Sequence, residues 1–144
     1  MYLDSLLKKL YGMLLIVEQI NMPPKIIKLA TLIRDYEGGP GDRNFRNKNP
    51  GNCRYFVGGY LKKYGVVAKD KDGFAIFETY ELGWAYLCNM LKAWAGGSRA
   101  NWTILRLMQS YAPKEDDNDP KAYADYITKH LGLSSETLLK DLLV

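Results

Sequence analysis

Metal-binding side chains are scarce in this chain, which holds one histidine and two cysteines in 144 residues, with Cys53 and Cys88 too far apart for a CxxC pair. A zinc set needs three or four such ligands at recognisable spacing, so no metal and no other cofactor is expected. Neither cysteine has a histidine or an acid spaced to make it a peptidase nucleophile. Cys53, in a polar loop, and Cys88, on an apolar helix face, read as two free thiols. Long apolar runs are missing too. Residues 10–17 carry no charge, but a bilayer span needs roughly 20 apolar residues, so no transmembrane segment is expected. Lys8 and Lys9 precede that stretch as they would in a signal peptide, yet Glu18, Gln19 and Asn21 stand where small cleavage-site residues belong, which disfavours a secretion signal. Nor is there a dense basic run. The 20 Lys and Arg outweigh the 16 Asp and Glu by a net charge of +4, but they are spread along the sequence. A pI near 9.0 suits an anionic polymer, while the lack of a clustered phosphate track argues against nucleic acid.

What is present is an ordinary folded domain. Hydrophobic residues at 47% and charged residues at 25% lie at the averages for soluble proteins and exclude a disordered chain. The length allows one compact domain with a short appendage. Residues 1–22 place Leu3, Leu6, Leu7, Leu10, Met13, Leu14 and Val17 at three- and four-residue spacing, which predicts an amphipathic helix. It either packs on the domain behind it or tethers that domain to a larger assembly or a membrane surface. Pro23 and Pro24 end it, because the first proline disfavours helical geometry in the residue before it and the second suits the first turn of a new helix. The domain proper is then residues 23–144.

From Pro24 to Tyr36 the pattern is helical again. Ile26, Ala30 and Ile33 share one stripe, and Glu37 continues it, so a face that should enter the core ends in a carboxylate. Gly38 and Gly39 are expected to stop the helix with left-handed backbone. Residues 38–54, rich in Gly, Asn and Pro, predict a long structured loop. Short strands are expected over Tyr55 to Leu61, Gly65 to Lys69 and Gly73 to Phe77, the last two joined by an Asp-Lys-Asp-Gly turn. Thr79 should cap a helix carrying Trp84, Leu87, Cys88, Leu91 and Ala95 inward. A further helix runs from about Asn101 to Tyr111. Asp119 and Pro120 open another that buries Ala122, Tyr123, Tyr126 and Ile127, and a last short one starts at Ser135 and carries Leu138, Leu139 and Leu142. His130, in the last turn of its helix, reads as structural.

Glu37 is the residue with chemical promise. Desolvation disfavours a charged carboxylate, and the negative end of the helix dipole acts in the same direction, so its pKa should rise. A raised carboxyl pKa is what a general acid needs to protonate a leaving oxygen.

The stretches IRDYEGGPGDRNFRNKNPGNCRY, FAIFETYELGWAYL and YAPKEDDNDPKAYADYI together resemble a family of phage and bacterial muralytic domains with the lysozyme-like fold. Members read as a helix ending in Glu-Gly, an Arg-Asn-x-Asn-Pro-Gly-Asn loop, a Phe-x-x-Phe strand, a Gly-Trp helix and a Tyr-Ala-Pro segment. The likeness runs from residue 24 to the C-terminus and leaves residues 1–22 outside. It departs at Cys53, where an apolar residue such as Leu is usual.

The resemblance implies an α+β, lysozyme-like fold: a mainly helical lobe, a small β-lobe and a glycan cleft between them with Glu37 as the catalytic acid. It makes Arg46, Asn47, Asn49, Pro50, Gly51 and Asn52 the loop leading into the β-lobe. Turn geometry is the first role of those asparagines, but Asn49 and Asn52, with Arg54, are also candidates for binding sugar. Phe74 to Tyr80 and the Tyr111-Ala-Pro segment are also similar to elements of flagellar and autolysin-type glucosaminidases, which makes Phe77, Tyr80 and Tyr111 candidates for lining the groove, since aromatic faces pack against sugar rings; Tyr111 is preferred among them. The implied activity is cleavage of the glycan strands of bacterial peptidoglycan. No second carboxylate is compelling among Asp42, Asp70, Asp72, Glu78 and Glu81. That ranks lytic transglycosylation first, lysozyme-type hydrolysis second and glucosaminidase action third, because hydrolases usually pair two carboxylates. The implied setting is a phage virion, or delivery to the bacterial periplasm and cell wall, with residues 1–22 able to reach other virion proteins. The rival from another class is a non-catalytic wall-binding or structural protein.

Overall fold

The computed structural model describes residues 2–144, so Met1 of the expected N-terminal helix lies outside the described residues. Among the described residues the chain forms seven α-helices and one two-stranded antiparallel sheet, a mainly helical α+β architecture. Helix α1 spans Tyr2–Ile20, and none of its residues is buried. It touches the rest of the protein through Leu15, which packs against the core, through Gln19, whose buried amide nitrogen lies against the Cys88 thiol, and through Glu18. That carboxylate accepts from Asn89 Nδ2 at 3.2 Å and lies 3.9 Å from Lys63 Nζ. No described helix is long and apolar enough to cross a membrane.

Helix α2 (Pro24–Glu37) has proline at its first turn and buries Ile26, Leu29, Ala30 and Ile33. These are the stripe residues expected to enter the core, with Leu29 beside them. Met22, which the sequence groups with the appendage, is already core at 4% exposure. The core forms where α2 packs against α5 (Tyr80–Ala95), α7 (Pro120–Leu131) and a closing 3-10 turn at Leu139–Leu143. Three of these boundaries follow from capping: the Thr79 hydroxyl accepts from Leu82 N at 3.1 Å, the Thr103 hydroxyl opens α6 (Ile104–Tyr111), and Asp119 accepts from Ala122 N at 3.0 Å.

The glycine that ends α2 does so differently from expectation. Gly38 takes φ 157° and ψ 178°, a region open in practice to glycine alone, and a Cβ there would lie 2.7 Å from the Asp42 Cβ. The chain therefore leaves the helix extended, not in a left-handed turn, and re-coils at α3 (Arg43–Arg46). Gly83 is fixed by close approach, because a Cβ would collide with the Lys48 carbonyl oxygen. This is what seats α5 against the loop.

The β-lobe is smaller than expected. Strands β1 (Val66–Lys69) and β2 (Ala75–Phe77) pair antiparallel with Val66 opposite Phe77 and Lys69 opposite Ala75. The expected first strand, Tyr55 to Leu61, is absent; only Arg54 bridges to Phe74, and Gly59–Lys63 coils as α4. Its residues had the composition of a strand but no partner edge beyond Arg54. On α7 the buried set is Tyr123, Ala124 and Ile127, with Ala122 exposed. Ala124 shares the i, i+3 face of Ile127 that packs against α2 and α6, Tyr126 is half-buried at its edge, and Ala122 falls outside it. The last expected helix is the 3-10 turn, and Trp84 is half-buried while its α5 companions Leu87, Cys88, Leu91 and Ala95 are buried.

Candidate active site

The loop from Gly38 to Arg54 is held by buried amides. Asn44 Nδ2 reaches the carbonyl oxygens of Arg34 (3.2 Å), Gly38 (3.3 Å) and Pro50 (3.2 Å), tying the end of α2 to the loop that follows it. Asn49 is fully buried: it donates to Cys53 O (2.9 Å) and Ala75 O (2.8 Å) and accepts from Cys53 N (2.9 Å), locking the loop to β2. Asn47 donates to Asp70 Oδ2 at 2.9 Å. Burial pushes the Asp70 carboxyl up, but N–H bonds from Phe74, Asn47 and Asp72 outweigh it and hold the pKa below its ordinary value. Asparagine suits these places because one short side chain both donates and accepts.

This scaffold opens a cleft of about 620 Å³ between the hairpin, α5 and the end of α6, with Glu37 in its lining. The Glu37 carboxyl is pushed above its ordinary 4.5 by burial, against the Tyr123 hydroxyl, the Asn52 amide and the Arg43 charge, which all pull it down. The expected direction and its leading cause therefore stand. Asn52, at φ 48°, donates from Nδ2 to Glu37 Oε1 at 3.2 Å. Its Oδ1 is buried without a partner, so a half-turn of the amide would offer an acceptor to the protonated acid. The Tyr123 hydroxyl is shared between Glu37 and the Ile33 carbonyl oxygen, 3.4 Å away. Burial keeps that phenol protonated, and it keeps Tyr111 protonated as well.

Of the residues expected to bind substrate, Asn52, Arg54 and Tyr111 line the cleft with Glu37, and Asn49, Phe77 and Tyr80 do not. Asn49 is spent on backbone bonds. Phe77 is 1% exposed and packs on the Tyr86 ring at 5.5 Å, because the alternation of β2 turns it inward. Tyr80 stands at the start of α5 against Phe45, 5.6 Å between rings, and faces the groove beneath α1. Tyr111 donates to the Gly51 carbonyl oxygen and sits 3.7 Å from Cys53 Sγ. Cys53 is core, not polar loop, and burial pushes its thiol up to about 12, too high for a nucleophile near neutral pH.

Comparisons with protein families, with characterised proteins and with solved structures return no match.

Tyr123 and Arg43 belong to the site without having been singled out from the sequence. Tyr123 follows the i, i+4 spacing to Ile127 and so reads as core; only the packing of α7 against the end of α2 turns its hydroxyl toward Glu37. The remaining carboxylates of the cleft are Asp72, Asp116 and Asp117. Asp72 is 3.2 Å from Arg43 and Asp116 is 3.0 Å from Arg54, while Asp117 is exposed at the rim. Both arginines lie over the Phe74 ring, at 4.4 and 4.3 Å. Among the described residues, Glu37 is the carboxyl of the cleft whose pKa is raised, and no group of three or more His, Cys, Asp or Glu could hold a metal.

Proposed function

We propose that this chain cleaves the glycan strands of bacterial peptidoglycan at the β-1,4 bond between MurNAc and GlcNAc, within a lysozyme-like fold, as a lytic transglycosylase. The observation that carries the reading is Glu37 itself: a desolvated carboxyl at a helix C-terminus, opening on a cleft between helices and a hairpin. In its protonated form it donates to the glycosidic oxygen as that bond breaks. The resulting carboxylate then takes the proton of the sugar's own 6-hydroxyl, whose oxygen bonds to the anomeric carbon and closes a 1,6-anhydro ring. One carboxyl serves both transfers, and water is not consumed.

The pairing of Asp72 and Asp116 with arginines, and the place of the third cleft carboxylate, Asp117, at the exposed rim, support this route over lysozyme-type or glucosaminidase hydrolysis, because a hydrolase needs a second carboxylate positioned at the bond as base or nucleophile. Asn52 supports it as well. Its amide offers Glu37 a donor in one orientation and an acceptor in the other, matching an acid that must become a base. The setting we propose is a phage virion or delivery to the cell wall, with α1 free to engage other virion proteins.

The test is turbidity loss of purified sacculi with the wild type and Glu37→Gln, followed by mass spectrometry of the released fragments. Loss of activity by roughly a hundredfold or more in the variant is expected for a general acid, with anhydro ends in the wild-type products. Reducing ends would replace transglycosylation by hydrolysis. Equal activity in both proteins would remove Glu37 from the chemistry, and inactivity of both would favour a wall-binding or structural role.

A further inference from the structure

A third arginine lines the same cleft and is treated differently from the other two. Arg43 and Arg54 are each neutralised by an aspartate and share one aromatic ring. Arg99, in the turn after α5, has its guanidinium 3.8 Å from the Trp94 ring centroid and 4.6 Å from that of Trp102. Local backbone bonds build this stack: Arg99 N donates to Trp94 O at 3.0 Å, and Trp102 N donates to Arg99 O at 3.0 Å. Trp94 and Arg99 both line the cleft.

Among the described residues no carboxylate pairs with Arg99. Burial is the one influence that acts on its charge, with no hydrogen bond or counter-charge to offset it. Indole rings against the guanidinium hold it in place without using its N–H groups, which lie in the plane of the fork and match the two oxygens of a carboxylate. A half-buried guanidinium held against two indole rings and left without a counter-charge in the cleft keeps its N–H fork open to a ligand.

We propose that Arg99, clamped by Trp94 and Trp102, is a subsite for a carboxylate of the peptide stem carried by the wall glycan. This rests on the proposed wall substrate and adds the feature that separates it from uncharged chitin-like polymers. The glycan is then recognised by its acid appendage as well as by its sugars, and the cleft discriminates through one fork.

The experiment is calorimetric binding to the full chain carrying Glu37→Gln, so that the ligand stays intact. The probes are a disaccharide-peptide fragment of peptidoglycan and the same fragment with its carboxylates amidated. Adding Arg99→Gln should weaken binding of the acidic fragment roughly tenfold to a hundredfold, the range of one charge-assisted hydrogen-bonded contact, and leave the amidated one unchanged. Arg99→Lys should fall between, because it keeps the charge and loses the fork. Retained affinity for the amidated fragment shows that the variant is folded. Equal losses for both fragments, no loss for either, or no binding of either to the parent chain would overturn the subsite. Cleavage of sacculi by wild type alongside an unaltered acidic-to-amidated ratio would overturn the subsite and leave the glycan-cutting reading standing. Charge-dependent binding without cleavage would do the reverse.

Discussion

Helix α1 buries none of its residues, while helix α2, three residues further along the chain, buries four. Both are amphipathic, both carry leucine and isoleucine at helical spacing, and both place a glutamate in the last turn. The difference lies in what faces them. The stripe of α2 meets α5, α7 and the closing 3-10 turn, and its glutamate loses water. The stripe of α1 stays open: Leu3 is 65% exposed and Leu10 51%, and Glu18 sits between Asn89 and Lys63 at the surface of the domain. An apolar period says that a helix has a face to cover; it does not say whether this chain covers it.

The largest effect is expected from Ile33→Ala. Ile33 is fully buried one turn before the acid, so truncation removes apolar burial and leaves a cavity against Tyr123 and its neighbours. A loss of about 2–5 kcal/mol in denaturant unfolding is expected. A loss under about 1 kcal/mol would mean that α2 is packed no better than α1.

Second in size is the effect of Glu37→Gln on stability, which is independent of any activity. The Glu37 pKa is raised in the folded protein above its ordinary 4.5, so the carboxyl contributes fully to stability below that value. The contribution is lost as pH rises through the folded pKa, because the charged form is then held where it is poorly solvated. The glutamine variant should therefore melt higher than wild type near neutral pH, and the two curves should converge below about pH 4.5. Wild type melting higher at neutral pH would show that the carboxylate is stabilised, contrary to its burial. The matching change Glu18→Gln on α1 removes a half-exposed pair worth about 1 kcal/mol or less.

How much of this was legible in the sequence follows from the same contrast. The stripe ending in Glu37, the caps at Thr79 and Asp119, and the cluster of asparagines in the loop were readable because each is local: spacing, one side-chain bond, or turn composition. Asn52, Arg54 and Tyr111 do line the cleft with Glu37. Phe77, Tyr80 and Asn49 do not, for a common reason: an aromatic ring or amide near a cleft in sequence has two faces to choose from. That choice is made by strand phase for Phe77, by the place of α1 for Tyr80 and by buried carbonyls for Asn49. The Tyr123 contact with Glu37 joins segments 86 residues apart, taking position 123 against position 37, and no local pattern carries it. The expected strand at Tyr55 to Leu61 failed on the same ground, since β-propensity needs an edge to pair with.

Tyr123→Phe and Asn52→Ala probe that long-range contact. Each removes a hydrogen bond that lowers the Glu37 pKa, so each should raise it further. If Glu37 is the acid of the reaction, the alkaline limb of the kcat/KM profile moves to higher pH in both variants, because the protonated form persists longer. A limb moving to lower pH, or staying in place in both, would separate Glu37 from the group that titrates in catalysis. The core should tolerate Tyr123→Phe, since the ring keeps its stacking on Tyr36 at 3.9 Å between centroids.

The smallest effect belongs to α1. Leu10→Ala changes the same kind of side chain as Ile33→Ala, but Leu10 is half exposed and has no core to leave. Unfolding free energy should stay within about 0.5 kcal/mol of wild type, and the slightly better helix propensity of alanine offsets part of the lost contact. A loss of about 2 kcal/mol would require that Leu10 be buried in solution, and a protein-concentration dependence of that loss would assign the burial to association between chains. The absence of any loss keeps the distinction intact: α2 is held by what it covers, and α1 is held by its base at Leu15, Glu18 and Gln19 with most of its apolar stripe exposed.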